Sequence, residues 1–333
     1  MALVRLGIGQ DYTGFPDDVD WPTVKTLADQ HGLSAIVLDG INVLNYKKSE
    51  VSVSCFPSQQ FIFQWIGEMM QNYETRYQAY KKTIGSLAGW YHSHGIKMMV
   101  LKGYACALDW PKPEHRPCGD IDIWQFGKQK EADAVLKNER GVKIDNSHHH
   151  HKSNVEMELI LKELGQDDSH YVELYGEKVY LPSPNLHALF LLRHSMSNFA
   201  STGFQLRQLL DWAFLVEKHG EKIDWVWLEN TLERFGMKKL YDIFNAICVG
   251  NLGFDVHIFP QVLFNPALKD RVLNDILSPE FLEKESGGFL SRAVFKFRRW
   301  RANTWKHELC FNDSMWSAFW SGVWGHLMKP STI

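Results

Sequence analysis

Between residues 58 and 94 apolar side chains recur every three or four positions: Phe61, Ile62, Trp65, Ile66, Met69, Met70, Tyr73, Tyr77, Tyr80, Ile84, Leu87 and Tyr91 fall on one stripe. That is the period of a helix with one buried face, and His94-Gly95 closes it. An aromatic stripe of this kind reads as a core face rather than a cofactor box. Upstream, Asp20-Trp21-Pro22 supplies a capping residue and an early proline for a shorter amphipathic helix carrying Val24, Leu27 and Ala28 and stopping at His31-Gly32.

After His94 the pattern changes. Residues 96–101 are a compact apolar run of strand length, followed at once by Lys102-Gly103, a short helix over 104–110 and a proline-bearing loop over 111–119. Residues 120–124 read as a second strand, 128–139 as a helix, and 142–144 and 155–161 as further strands. Strands and helices interleave only here. Pro182-Ser183-Pro184 marks a boundary, with Asn185 as the expected cap of a helix over 186–199. Helical spacing continues over 205–218, 224–235 and 238–252, punctuated by Gly220, Gly236 and Gly253. The expectation is an α+β fold: a small mixed sheet within 95–181, an N-terminal helical region over 1–94 and a larger C-terminal helical region over 182–333.

Composition narrows the function classes. With 45% hydrophobic and 23% charged residues a wholly disordered chain is excluded. The 36 Lys and Arg against 39 Asp and Glu leave a net charge of −3, so no global positive field holds the chain on nucleic acid or an anionic membrane. Cys55, Cys106, Cys118, Cys248 and Cys310 are scattered without a CxxC pair, which fits reduced thiols and a cytoplasmic location. The first residues lack the apolar run of a secretory signal, and no stretch reaches the ~18 apolar residues of a membrane span; the nearest, 316–327, is too short and broken by Ser, Gly and His.

Candidate chemistry begins at Gly119-Asp120-Ile121-Asp122-Ile123. On a strand Asp120 and Asp122 project to one face and the isoleucines to the other. Adjacent carboxylates repel unless cations sit between them, and hard ions such as Mg²⁺ take carboxylate and phosphate oxygens. Val155-Glu156-Met157-Glu158-Leu159 repeats the device, and as a strand it offers Glu156 or Glu158 as a third carboxylate. Three such groups suit two metal ions about 3.5–4 Å apart. Lys102-Gly103 stands at a strand-to-helix turn where backbone can approach a phosphate and the lysine adds positive charge.

The order of strand, Lys102-Gly103, helix, loop with Arg116, and Gly119-Asp120-x-Asp122 resembles the polymerase-beta-like nucleotidyltransferase superfamily, and within it the uncharacterised nucleotidyltransferases. The Glu156–Glu158 segment and Gly203-x-x-Leu206-Arg207-Gln208-x-x-Asp211-Trp212 are similar to that group too. The resemblance implies a nucleotidyltransferase core at 95–181 that moves a nucleoside monophosphate from an NTP to an acceptor hydroxyl. Asp120, Asp122 and Glu158 would hold two Mg²⁺ ions, with Glu156 as the close alternative. Lys102, Gly103, Arg116 and Gly119 would receive the triphosphate, and Arg207 would face the cleft. Two positions depart from the pattern: Tyr104 follows Gly103 where Ser or Gly is common, and Ile160 stands where a His is usual.

Other readings stay open. Arg207 and Asp211, four apart on a helix, also suit a surface ion pair. His148, His149, His150 and His151 place two residues on each face of an extended segment, near the rim of the site rather than as a zinc centre. Residues 295–306 interleave basic and aromatic side chains; we read them first as a helix laying basic stems over a core, and alternatively as a grip on nucleic acid or a membrane surface. A nucleotide-binding or interaction module without turnover is the remaining alternative. The residues do not specify the acceptor, the base or the oligomeric state.

Overall fold

The computed structural model describes residues 1–12, 15–16, 18–46, 56–140, 155–200, 203–260, 264–279, 294–295, 298 and 301–311. The described residues divide into two compact units. The first comprises Met1–Leu191, Leu206–Ile223 and Cys248–Phe259, and the second Leu192–Gln205, Asp224–Ile247 and Pro260–Ile333.

In the first unit, α1 (Ala2–Gly7) precedes α2 (Trp21–Gln30) and α3 (Ser34–Tyr46). The Asp20 carboxylate accepts the Thr23 N–H at 3.2 Å at the start of α2, and Gly32 adopts φ +66° just past its end, as the cap and stop signals anticipate. The aromatic stripe is helical throughout: α4 (Gln59–Met69), a π-helical segment (Met70–Thr75) and α5 (Arg76–Ser93), opened by Ser58, whose hydroxyl accepts the Phe61 N–H.

Past Gly95 come β1 (Met99–Val100), α6 (Tyr104–Ala107), β2 (Ile123–Trp124), α7 (Gln129–Arg140), α8 (Val155–Leu164), β3 (Tyr171–Leu174) and β4 (Glu177–Tyr180). The sheet order is β2-β1-β4-β3, with β1 antiparallel to β2 and parallel to β4. This is the small mixed sheet expected. Its β3–β4 hairpin has no counterpart in the sequence reading; the turn Tyr175-Gly176 has positive φ at both residues, which matches the twist of the flanking strands.

Alternation along β1 sorts the core. Met98 and Val100 join Tyr77, Tyr80, Ile84 and Tyr91 of α5, with Ile121 and Ile123 packed against them. Met99 and Leu101 face the other way, with Tyr180, Trp124, and Leu161 and Leu164 of α8. A two-residue strand thus carries two cores because both faces are covered, which is why 96–101 reads as a continuous apolar run.

Two expectations are corrected. Residues 155–161 form helix α8, not a strand. The helix after the boundary, α9 (Pro184–Ala200), begins before Asn185, and the Ser183 hydroxyl accepts an end N–H, that of Leu186 at 3.5 Å. The expected strand over 142–144, the histidines 148–151 and residues 316–327 lie outside the described residues. The first unit is completed by α10 (Leu206–His219).

The second unit contains α11 (Trp225–Arg234), α12 (Lys238–Ile247), α13 (Pro266–Leu277) and α14 (Thr304–Phe311). Phe204 stacks on Phe244 at 5.1 Å, and Phe199 meets Trp305 edge-on at 5.7 Å. Lys306 is buried against Asp275 at 2.6 Å. Of the basic aromatic stretch 295–306, residues 296–297 and 299–300 lie outside the described residues. Among the described residues no helix is long and apolar enough to cross a membrane.

Candidate functional site

The antiparallel register sets Met99 opposite Trp124 and Val100 opposite Ile123, and the Leu101 N–H donates to the Asp122 carbonyl at 3.0 Å. The Lys102-Gly103 turn is therefore held beside the Asp-x-Asp segment by the ladder itself. Asp120 and Gly119 are exposed, while Ile121 and Ile123 point into the core, so the alternation expected of this segment holds although only its last two residues are strand. The Lys102 ammonium lies 3.1 Å from an Asp122 carboxylate oxygen, the side chains 21% and 17% exposed: a half-sheltered pair that water still reaches.

Gly103 has φ +59° and ψ −96°, a conformation in which a side chain is strained. A Cβ there would also collide with the Tyr80 hydroxyl. That hydroxyl donates to the Asp120 carbonyl at 2.7 Å. Because α6 is a single turn, few peptide dipoles add up at its start.

Arg116, expected at the triphosphate, is employed differently. It is buried, and its Nε and Nη2 donate to the two Asp211 oxygens at 2.7 and 2.8 Å, with the Trp110 indole N–H donating to the same carboxylate at 2.8 Å. Burial alone would push the Asp211 carboxyl up, but the Arg116 charge and hydrogen bonds hold it below its usual range. Asp211 thus partners Arg116 from α10, and this carboxylate is buried rather than on the surface.

Arg207 donates from Nη1 to the Pro117 carbonyl at 3.2 Å. Burial, and then the nearby Arg116 charge, draw its pKa down. Its side chain packs so tightly on the turn after α2 that a Cβ at Gly32 would press on it. His31 completes this corner: its Nδ1 accepts the Leu206 N–H at 3.3 Å, so the neutral ring serves as the cap of α10. One turn of α10 therefore grips two consecutive residues of the loop leading to Asp120.

Glu156 and Glu158 lie on α8, where residues two apart point to widely different sides, so they cannot share the face that a strand would have given them. Met157 between them is buried. Among the described residues no three His, Cys, Asp or Glu side chains stand close enough to hold one metal ion; the expected triad of Asp120, Asp122 and Glu158 is not brought together.

Tyr80 and Asp211 are the residues that the sequence reading undervalued. Both carried a signal: a phenol in an apolar stripe and a carboxylate within Leu209-Leu210-Asp211-Trp212-Ala213 each need a buried partner.

A small mixed sheet with two carboxylates at one edge, a Lys-Gly turn beside them and helices on both faces defines an α+β protein. The family model described as uncharacterised nucleotidyltransferase matches residues 17–139 and 124–249, more than half of the chain. The chain belongs to that family. No curated protein and no solved structure matches it.

Proposed function

We propose that the protein is a metal-dependent nucleotidyltransferase that moves a nucleoside monophosphate from an NTP to an acceptor hydroxyl. The observation that carries this reading is the ladder-held pairing of the Lys102-Gly103 turn with Asp120-x-Asp122. Asp120 and Asp122 suit Mg²⁺: they are hard oxygen donors at an exposed edge, and Mg²⁺ commonly takes one or two carboxylates and completes its shell with water and substrate phosphates. When bound, such an ion neutralises charge on the phosphates and withdraws electrons from the α-phosphorus. Gly103 admits the phosphates to the backbone, and Lys102, turning from Asp122, neutralises charge on them. The acceptor hydroxyl gives up its proton to solvent water as its oxygen bonds to the α-phosphorus, the bond from that phosphorus to the bridging oxygen breaks, and pyrophosphate leaves with that electron pair. Arg116 and Arg207 are braces of the loop in this reading, and neither Glu156 nor Glu158 is needed.

Calorimetric titration with a non-hydrolysable ATP analogue tests the assignment. Mg²⁺-dependent binding is expected that EDTA abolishes and that weakens at least about tenfold in the Asp120→Asn, Asp122→Asn protein; unchanged binding in that double variant sinks the metal assignment. The ring of Tyr104, stacked on Tyr77 at 6.1 Å in the core, favours one second reading. It leaves no side chain for the phosphate at that position, as in a binding module without turnover, for which nucleotide binds but no pyrophosphate is released.

A further inference from the structure

One hydroxyl touches both halves of the candidate site. The Tyr80 ring is buried in α5 among Tyr77, Ile84, Val100 and Tyr104, and a phenylalanine would fill the same space. The oxygen needs its own explanation, because a phenol in a core costs stability unless it is hydrogen-bonded. Its partner is the Asp120 carbonyl, at 2.7 Å, and it stands where a side chain at 103 would begin. We propose that Tyr80 is a positioning residue: its hydroxyl clamps the peptide plane after Asp120 and seats the Gly103 backbone against it, setting the spacing between the turn that admits phosphate and the first carboxylate. Its consequence for ligand binding rests on the transferase reading; the clamp itself does not.

The test uses the full chain with Tyr80→Phe, which keeps the ring, and Tyr77→Phe as the control on the same helix. Amide hydrogen exchange over residues 117–122 should accelerate about three- to tenfold in Tyr80→Phe and stay at the wild-type rate in Tyr77→Phe. Affinity for the non-hydrolysable ATP analogue with Mg²⁺ should fall about five- to tenfold in Tyr80→Phe, while the unfolding midpoint moves by no more than ~4 °C. Unchanged exchange over 117–122 overturns the clamp whether or not nucleotide binds. Faster exchange with unchanged affinity overturns the positioning role. If the wild-type protein binds no nucleotide, it is the transferase reading that fails, and the exchange result alone decides the clamp.

Discussion

At position 103 two constraints act on one missing atom. The backbone lies at φ +59°, where a Cβ is strained, and the Tyr80 hydroxyl fills the space that a Cβ would need. Gly103→Ala should therefore cost about 2–4 kcal/mol in urea unfolding, combining backbone strain with overpacking. In the Tyr80→Phe background the collision is gone and only the strain is left, so the two substitutions should fall short of additive by at least ~0.5 kcal/mol. The inward placement of Ile121 and Ile123 was legible in the sequence, because strand alternation there is not opposed by a competing helical pattern. Arg116 was not. Its charge finds Asp211 far away along the chain, and no local pattern announces that pairing. Tyr80 was read as core, correctly for its ring and incompletely for its oxygen.

Among elements, α10 braces the loop that leads to Asp120. Asp211 takes the Arg116 guanidinium and Arg207 takes the Pro117 carbonyl. Asp211→Asn leaves a buried guanidinium without its counter-charge and should cost about 3–5 kcal/mol, whereas Arg116→Met with Asp211→Leu removes both charges and should cost far less. Denaturant titration of the three proteins checks the ordering. The error over 155–161 has a simple cause. Val155-Glu156-Met157-Glu158-Leu159 alternates like a strand, but Met157, Leu161 and Leu164 also fall on one side of a helix, and Glu, Met, Leu and Lys are strong helix formers. Alternation over five residues cannot outvote that. The β3–β4 hairpin escaped notice because its turn is Tyr-Gly instead of Asn-Gly or Asp-Gly.

For the molecule as a whole, the acid limit of stability is written in buried groups of the first unit. His187 is enclosed, with its Nε2 3.5 Å from the Cys106 sulfur, and burial lowers its pKa from 6.5 to about 4. The unfolded chain takes up this proton at higher pH than the folded one, so the contribution of His187 is fully present above pH 6.5 and is lost as pH falls toward about 4. Over that window the loss amounts to roughly 3 kcal/mol. Stability measured from pH 8 to pH 4 should show this slope, and His187→Gln should remove it. The ionised Asp211 adds a separate limb in stronger acid: its folded pKa is depressed, so its contribution is lost only below the ordinary carboxylate range. The α+β class and the helical character of the later part were readable from periodicity, while the division into two units depends on long-range packing that periodicity does not encode.

The Lys102–Asp122 contact has a consequence for the order of events at the site. With the ammonium in place, one of the two carboxylates already has its counter-charge, so a bare cation gains less there than it would between two unpaired carboxylates. Lys102 can leave Asp122 cheaply only if another anion is ready to receive it. A ligand that brings its own negative charge together with a cation satisfies both partners in a single exchange, and neither a bare cation nor a bare anion does. On the proposed reading a metal–polyphosphate pair is such a ligand, and each half offered alone should bind more weakly than the whole.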